Sequence, residues 1–328
     1  MTMTALEPDM HQVAAMTGAM AWRFRDLKTD ASYLKGGHLV ISSFDGIHLG
    51  HRALLKRAAE KVDGEGEPVV ALLFDDASEE AAVPPVLDKT ERIRLLREAG
   101  VEVVALGFSQ YASWLDIQAL CELVREFEPK SITMSANFRF GFGGGGKSDQ
   151  IASRAQQDGL RVDTLAPVDV GSGRRVASGK TISACLASGD IETATALLGR
   201  YWSVTGPVVH GHKRGRELGF PTANVPFARE VNLAHGIYAV RVHLDGQVLN
   251  GVASYGTRPQ FDNGAPLLEV HILDFSRVIY ESSVRVEFVA YQRPEMVFDG
   301  IDALIRQMDV DCATARDLLA TVSDGIAA

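Results

Sequence analysis

The sequence predicts an α/β protein of two domains, a parallel sheet covered by helices and then a small antiparallel β-barrel with a terminal helix. Three observations favour this fold class. The first half alternates strand-like and helix-like segments, and the second half has short strands separated by turns. The length of 328 residues exceeds the roughly 100–200 residues of one ordinary domain.

In the first half, apolar runs predict strands, and apolar residues at helical spacing predict helices between them. The run 68–74 is apolar throughout, which is typical of a strand buried on both faces. Such sheets bind ligands beyond the carboxyl ends of their strands, so we expect binding residues in the loops after residues 43, 74 and 134. The predicted strands are 37–43, 68–74, 102–107 and 130–134, and the predicted helices are 48–61, 90–99, 115–127 and 181–198.

The pattern changes near residues 199–202. Glycine-containing turns at 244–246 and 262–264 separate short alternating strands, and the segment 300–319 predicts a final amphipathic helix. We therefore divide the chain into an N-terminal extension (1–32), a first domain (33–200) and a second domain (201–328). The strands predicted in the second domain are 203–209, 236–243, 247–254, 267–273 and 283–290.

Composition and charge exclude several classes of protein. Apolar residues make up 46% and charged residues 23% of the chain, which are globular values. The formal net charge of −9 offers no overall attraction to nucleic acid or to an anionic membrane, so neither is an expected partner. The three cysteines form no CxxC pair, and no apolar run approaches a membrane span. We expect a soluble cytoplasmic protein, and the sequence does not determine its oligomeric state.

The densest functional signal is a basic glycine-rich loop followed by an extended segment, 208–224. Its glycines let a backbone approach a polyphosphate, and its basic side chains supply positive charge. Thr222 and Asn224 lie two residues apart, so their oxygens share one face and could hold Mg²⁺ against phosphate oxygens. The alternative is an exposed basic hairpin before an ordinary strand. The candidate phosphate-binding residues are Gly211, Lys213, Arg214, Gly215 and Arg216.

Residues 215–224 read GRELGFPTAN, which resembles the riboflavin kinase signature GRxLGFPTAN. Further segments match that family in order, at 235–239, 256–261, 268–275 and 293–300. The resemblance covers 201–328 and implies a small barrel that transfers the γ-phosphoryl group of ATP to the 5′-hydroxyl of riboflavin. It also implies roles for single residues. By this resemblance, Glu269 is the general base, Thr222 and Asn224 organise MgATP, and Arg258 contacts the flavin. Without the family match, Glu269 would be interpreted as a strand glutamate that faces outwards.

A second candidate site follows the first predicted strand. His48 and His51 lie three residues apart at a helix start, beside free backbone N–H groups and the positive end of the helix dipole. Such a site can hold a triphosphate and stabilise charge at its α-phosphorus. Two alternatives are a helix-capping Asp45 with two solvated histidines, and a metal pair that lacks an evident third ligand.

This segment resembles the HxGH motif of the nucleotidylyltransferase superfamily. Because it precedes a flavokinase-like domain, it is similar to the FMN adenylyltransferase half of the bifunctional FAD synthetases of prokaryotes. The resemblance implies a Rossmann-like domain that converts FMN and ATP to FAD and pyrophosphate, with His48 and His51 as catalytic residues. ATP contacts are implied for Phe44, Asp45, Gly46 and Gly50, and flavin contacts for an [DN]FxFG-like loop, Asn137, Phe138, Arg139 and Phe140.

The first half departs from that family at several positions. Ser42 stands where the family has glycine, segment 74–78 lacks the FxPHP prolines and histidine, and 143–149 lacks an arginine turn. Most seriously, SSTxIR becomes SGKTIS, so Lys180 replaces the threonine and Ser183 the arginine. Serine cannot replace a bidentate phosphate contact, and one such loss costs about 2–4 kcal/mol in a transition state. We expect adenylyl transfer to be weak, altered or absent, although Lys147 or Lys180 could compensate in part.

Three rival hypotheses stay open at this point. Residues 141–148 satisfy the P-loop expression GxxxxGK[ST], but six residues separate them from the preceding predicted strand, and the Walker-B-like run 69–76 comes first in the chain. The other two are a kinase-only paralogue and a non-catalytic regulator that binds flavin or nucleotide. The expected ligands are riboflavin, FMN and ATP, and the expected cofactor is Mg²⁺, with ATP as co-substrate.

Overall fold

The structure is a computed structural model and describes residues 34–64, 66–74, 84–106, 120–121, 124–125, 127–140, 145–171, 175–211, 215, 218–226, 231–257 and 266–322. The chain forms two compact units, Met1–Ala82 with Lys89–Asp169, and Val83–Asp88 with Val170–Ala328. A helix-covered parallel sheet in the first and an antiparallel barrel in the second confirm the predicted fold class. The predicted extension 1–32 lies outside the described residues.

The first unit is built on a parallel sheet. Its strands are β1 (His38–Ser42), β2 (Val69–Phe74), β3 (Glu102–Leu106), β4 (Ser131–Ser135), β5 (Arg139–Phe140), β6 (Gly146–Lys147) and β7 (Arg161–Leu165), and the helices are α1 (Leu49–Ala59), α2 (Lys89–Glu98) and α3 (Ser148–Gln157). Five of the strands form the parallel sheet in the order β3-β2-β1-β4-β7, and a separate antiparallel ribbon joins β5 to β6. Of the predicted helix 115–127, residues 120–121 and 124–125 are helical, and 115–119 lie outside the described part.

Both faces of this sheet are buried, as the continuous apolar run of β2 predicts. Leu39 and Ile41 belong to the apolar cluster on one face, whereas Val40 packs in the cluster on the other. The strand order reverses between β1 and β4, so the loops that follow these two strands meet at the topological switch point. The fold thereby brings the segment of His48 next to the loop that begins after Ser135.

Two short strands, β8 (Asp169–Val170) and β9 (Arg175–Val176), lead to α4 (Gly179–Ser188) and α5 (Ile191–Leu198). The prediction of one helix over 181–198 is wrong. Gly189 adopts a left-handed φ of 77° that ends α4, and the side chain of Asp190 accepts a hydrogen bond from the backbone of Thr193 (3.1 Å) to begin α5. Local capping chemistry therefore outweighs the continuous helical periodicity.

The helices α4 and α5 pack in the second unit. The carbonyl of Leu186 accepts a hydrogen bond from the N–H of Ala234 (2.9 Å), and Gly189 lies against the ring of Tyr291. Residues 83–88 join the same unit, where the carbonyl of Val86 accepts a hydrogen bond from the Trp202 indole (2.8 Å). The two packing units therefore divide near residues 169–170, earlier in the chain than the domain boundary expected near residues 199–202. That boundary stays a prediction.

The barrel strands are β10 (Trp202–Pro207), β11 (Ala223–Pro226), β12 (Gly236–Leu244), β13 (Gln247–Thr257), β14 (Pro266–Ile272) and β15 (Ser283–Arg293). They form an antiparallel sheet in the order β10-β15-β12-β13-β14-β11. A bridge between Val209 and Asn224 brings the two edges together, so the barrel is nearly closed. In its interior, Phe288 packs against Trp202 in a tilted arrangement and against Tyr238 edge to face.

A last helix, α6 (Ile301–Ala320), packs on the outside of the barrel. Asp245 and Gly246, both at positive φ, form the predicted turn at 244–246, whereas the turn predicted at 262–264 lies outside the described residues. The three cysteines are all described, buried and in the thiol form. Over the ranges that the structure covers, no helix is long and apolar enough to cross a membrane.

Candidate active site

Three neighbouring barrel strands carry a row of polar side chains. The register pairs Asn224 of β11 with Glu269 of β14, and Glu269 with Ser254 of β13. Directly opposed residues of antiparallel strands share one face, with Cβ atoms about 4.5–5.5 Å apart. Sheet register thus places the predicted metal ligand Asn224 beside the predicted base, although the two are far apart in the chain.

Glu269 lines a cavity of about 290 Å³. Gly215 of the glycine loop and Thr222 line the same cavity, so the three predicted elements share one cleft. The remaining lining is largely apolar and comes from the barrel, from the segment before α6 and from α6 itself: Ile237, Val252, Met296, Phe298, Leu304 and Met308. A polar group of residues therefore adjoins a surface suited to a flat apolar ring.

The two glycines of this loop permit close backbone approach. A Cβ on Gly211 would lie 2.3 Å from Nδ2 of Asn224, so the Asn224 amide occupies the space that a side chain would need. A Cβ on Gly215 would lie 2.4 Å from the carbonyl oxygen of Phe220, whose N–H donates to the Gly215 carbonyl (2.8 Å). Three other predicted phosphate ligands, Lys213, Arg214 and Arg216, lie outside the described residues, as does the predicted flavin contact Arg258.

Asn224 has the properties of a metal ligand. Its side chain is buried, and its Oδ1 has no hydrogen-bond partner within the described chain. Leaving such an oxygen unsatisfied is costly. Mg²⁺ prefers oxygen ligands and is usually held by one or two protein groups together with substrate phosphates and water. The unsatisfied amide oxygen, with the Thr222 hydroxyl two residues away, fits a magnesium ion bound with a nucleotide.

The structure adds cavity residues to which the sequence analysis assigned no role. His271 follows Glu269 by two residues, so strand alternation could have placed it on the same face. Arg293 is held by the buried carboxylate of Asp311 through Nε (2.8 Å) and Nη2 (2.5 Å), a pairing that only the packing of α6 on β15 reveals. Burial raises the pKa of the Cys312 thiol, so this cavity residue stays protonated at neutral pH.

In the first unit, His48 and His51 come together as predicted. Their rings stack with centroids 3.8 Å apart, and both side chains are buried. His48 is the N-cap of α1, where its Nδ1 accepts the N–H of Gly50 (3.1 Å). The neutral ring therefore carries its hydrogen on Nε2. The alternative of a capping Asp45 with two solvated histidines is wrong, because His48 makes the cap and neither ring is solvated.

The turn before α1 is conformationally strained. Phe44 and Ile47 adopt φ values of 53° and 41°, which non-glycine residues rarely take, and both side chains are buried. The guanidinium of Arg92 donates to the carbonyl of Ser43 (3.2 Å). Gly46 shares the turn, at φ 76°. Among the described residues no group of three or more His, Cys, Asp or Glu side chains could hold a metal ion, and the metal-pair alternative gains no third ligand.

The loop after β4 contains the predicted flavin contacts. Asn137 and Arg139 are exposed, whereas Phe140 is buried in the apolar core of the sheet. Phe138 is half-buried, and its ring lies 6.3 Å from that of Phe140. Phe140 thus anchors the loop in the apolar core, and the exposed side chains of Asn137 and Arg139 follow β4 at the switch point.

The P-loop alternative does not fit the geometry. The expression 141–148 follows β5 of the ribbon instead of a strand of the main sheet, its residues 146–147 form β6, and Ser148 begins α3. Residues 141–144 lie outside the described part of the chain. The Ser148 hydroxyl, the metal ligand of a true P-loop, donates to the carbonyl of Ala136 (2.8 Å). The N–H of Lys147 donates to the side chain of Gln150 (2.9 Å). A Cβ on Gly146 would lie 2.5 Å from the Phe140 ring, so packing explains that glycine.

Comparison with known proteins decides the family. A family model described as riboflavin kinase matches residues 198–319, and one described as FAD synthetase matches residues 30–179. A bifunctional riboflavin kinase/FMN adenylyltransferase of Haemophilus influenzae is 35% identical over 89% of this chain and 97% of its own length. The chain belongs to this family. The Escherichia coli K12 protein of the same description is 34% identical over 86% of this chain and 93% of its own length.

Members of the bifunctional riboflavin kinase/FMN adenylyltransferase family thus match both halves of the chain, and the resemblance found in the sequence is confirmed. A solved structure from Streptococcus pneumoniae, described as a macrolide-efflux protein, has a TM-score of 0.78 at 28% identity and covers 90% of this chain and 99% of that one. The second half is accordingly a riboflavin kinase domain, and the first half is an FAD synthetase domain.

The departures from the family pattern can be placed in the FAD synthetase half and in the helix that follows it. Ser42 ends β1 and is buried. Ser183, which stands at the family's arginine, is buried in α4, and Lys180 is exposed near the start of that helix. Residues 75–78, where the proline-histidine segment is missing, lie outside the described chain.

Proposed function

We propose that the barrel cavity transfers the γ-phosphoryl group of ATP to the 5′-hydroxyl of riboflavin. The observation that carries this proposal is the convergence of Glu269, Thr222 and Gly215 on one cavity, with Asn224 paired to Glu269 in the sheet. Membership of the riboflavin kinase family supports it. The apolar part of the lining suits the isoalloxazine ring, and the polar part suits the ribityl end and the phosphates.

In this mechanism, Glu269 accepts the proton of the flavin hydroxyl as that oxygen attacks the γ-phosphorus, and the bond from the γ-phosphorus to the β,γ-bridging oxygen breaks to release ADP. Phosphoryl transfer needs little covalent help from the protein, because positioning and charge neutralisation dominate. Asn224 and Thr222 would hold Mg²⁺, which supplies charge neutralisation at the phosphate oxygens when it is bound. Gly211 and Gly215 let the loop backbone come close to the triphosphate, and Lys213, Arg214 and Arg216 add positive charge.

The test is a pair of separate incubations, one with riboflavin and MgATP and one with FMN and MgATP, followed by chromatographic separation of the flavins. Time-dependent FMN in the first incubation is the expected result. If the purified protein binds riboflavin and ATP but forms no FMN, it is a non-catalytic binding protein and the proposal fails. Omission of Mg²⁺ is the matched control and should abolish FMN formation.

A second candidate function is adenylyl transfer to FMN in the first unit. The stacked His48 and His51 at the start of α1 favour nucleotide binding there, because backbone N–H groups at a helix start stabilise phosphate. Loss of the arginine at position 183 and of the 74–78 prolines and histidine argues for a slow reaction. We therefore expect FAD from FMN and MgATP at a rate well below that of FMN formation, and the second incubation measures it directly.

The proposed ligands are therefore riboflavin, FMN and ATP, with Mg²⁺ as the metal. The buried, unpaired thiols of Cys121 and Cys312 support our proposal that the protein works in a reducing cytoplasm. Measuring the redox state of these thiols in freshly lysed cells tests this assignment. A stable disulfide there would contradict it.

A further inference from the structure

His271 connects the strand of the base to the segment of the predicted metal ligands. It lies on β14, two residues after Glu269, and lines the same cavity. Its Nδ1 lies 2.9 Å from the carbonyl oxygen of Pro221. A carbonyl oxygen can only accept a hydrogen bond, so Nδ1 carries the hydrogen and donates it. Pro221 directly precedes Thr222, so this bond holds the chain at the cavity.

The bond stands where the β11–β14 ladder ends. Ala223 and Val270 are the last paired residues at that end, so Thr222 and His271 would form the next pair if the register continued. Pro221 cannot prolong a ladder as a donor, because proline has no backbone N–H. The imidazole of His271 therefore makes a cross-strand bond beyond the end of the backbone ladder.

The segment that His271 holds is a tight turn. The N–H groups of Phe220 and Leu218 both donate to the carbonyl of Gly215, at 2.8 and 3.2 Å. The Phe220 ring meets the His271 ring edge to face, with centroids 5.5 Å apart and an interplanar angle of 67°. His271 thus contacts both the Pro221 carbonyl and the neighbouring ring. The bond from Phe220 thus links Gly215 to the segment that contains Pro221 and Thr222.

We propose that His271 is a positioning residue for nucleotide binding in the kinase site. Its Nδ1–H holds Pro221, and with it Thr222 and the Phe220 that bonds to Gly215, at the distance from the Glu269 strand that the triphosphate and its metal ion require. It acts through Pro221 and takes no proton from the substrate, which is the role of Glu269. This inference rests on the proposed kinase function.

The test compares three substitutions of His271. His271→Ala removes the donor, His271→Asn keeps an amide N–H near the position of Nδ1, and His271→Gln places its amide near the position of Nε2. MgADP affinity is measured by calorimetry on the enzyme without flavin, and KM is measured separately for MgATP and riboflavin. The alanine and glutamine variants should weaken MgADP binding and raise the MgATP KM roughly tenfold, the order expected for one lost hydrogen bond, whereas asparagine should stay within about threefold of wild type. Riboflavin KM and kcat should change by less than about twofold.

His243→Ala is the matched control. His243 is a half-buried strand histidine of the same barrel, its Nε2 lies 2.9 Å from a carboxylate oxygen of Glu287, and it does not line this cavity. This variant should leave MgADP affinity unchanged. Wild-type MgADP affinity in folded His271→Ala, failure of His271→Asn to retain affinity, or equal rises in both KM values would each overturn the proposal. The proposed kinase function fails in a different way, when the wild-type protein itself forms no FMN.

Discussion

The candidate phosphate sites in the two halves of this protein differ in how many of their expected side chains are present. In the barrel, Glu269 and Thr222 line one cavity, Asn224 with its unsatisfied amide oxygen is paired with Glu269 in the sheet, and Gly211 and Gly215 are required by close contacts with Asn224 and Phe220. In the first unit, the histidine pair and its strained turn are intact, but the arginine expected at position 183 is a buried serine. The proposed nucleotide site of the first unit therefore lacks the bidentate cation that we expect to stabilise charge in the transition state.

The largest expected effect separates the two sites most clearly. Glu269→Gln should lower kcat for FMN formation by roughly 10²–10⁴, because the amide cannot accept the hydroxyl proton. Steady-state assay with riboflavin and MgATP measures it. Glu287→Gln, a strand glutamate outside the cavity lining, is the control and should retain activity. Undiminished turnover in the Glu269 variant would remove this residue from the mechanism.

His48→Ala tests the independence of the two halves. Any FAD formation from FMN should fall by roughly a hundredfold, because a donor to the phosphates is lost, whereas FMN formation from riboflavin should not change. Both reactions are followed on one protein preparation by flavin chromatography. A folded variant that also loses FMN formation would show that the sites are coupled.

Gly211→Ala should disturb the Asn224 amide, the proposed metal ligand, without touching Glu269, the proposed base. The added Cβ would lie 2.3 Å from Nδ2 of Asn224, so that amide must move, and we expect the Mg²⁺ requirement for FMN formation to rise roughly tenfold to a hundredfold. Gly206→Ala controls for crowding, since its Cβ would meet Val225 at 3.1 Å in the same barrel. The idea is lost if both variants show the same Mg²⁺ titration and the same Tm.

Lys147→Ala should have the smallest effect. Lys147 caps α3 in the first unit, so we expect FMN formation within about twofold of wild type and no loss of nucleotide hydrolysis. Phosphate release with and without riboflavin is the measurement. ATP hydrolysis that is present in wild type and abolished in the variant would support the P-loop hypothesis. It would then contradict the comparison of the two halves.

Local patterns predicted most elements of the fold and the identity of the candidate residues. Apolar runs located β1 to β4, β10 and β12 to β15, whereas β5 to β9 and α3 were not predicted. The sequences GRELGFPTAN and HLGH located the two candidate sites. The break between α4 and α5 was missed because Gly189 and Asp190 interrupt a helical pattern without changing its apolar spacing. The packing of those helices with the barrel depends on contacts with Ala234 and Tyr291, which no local pattern contains.

By itself, the chain's order of residues determined the chemistry available: one acid, one hydroxyl, one amide and a glycine-rich basic loop. Only the tertiary structure decided that Asn224 stands opposite Glu269, that His271 bonds to Pro221 and that Asp311 holds Arg293. The physical reason is that sheet register and helix packing join residues far apart in the chain. Their geometry follows from long-range burial and backbone pairing, which the spacing of neighbouring residues does not encode.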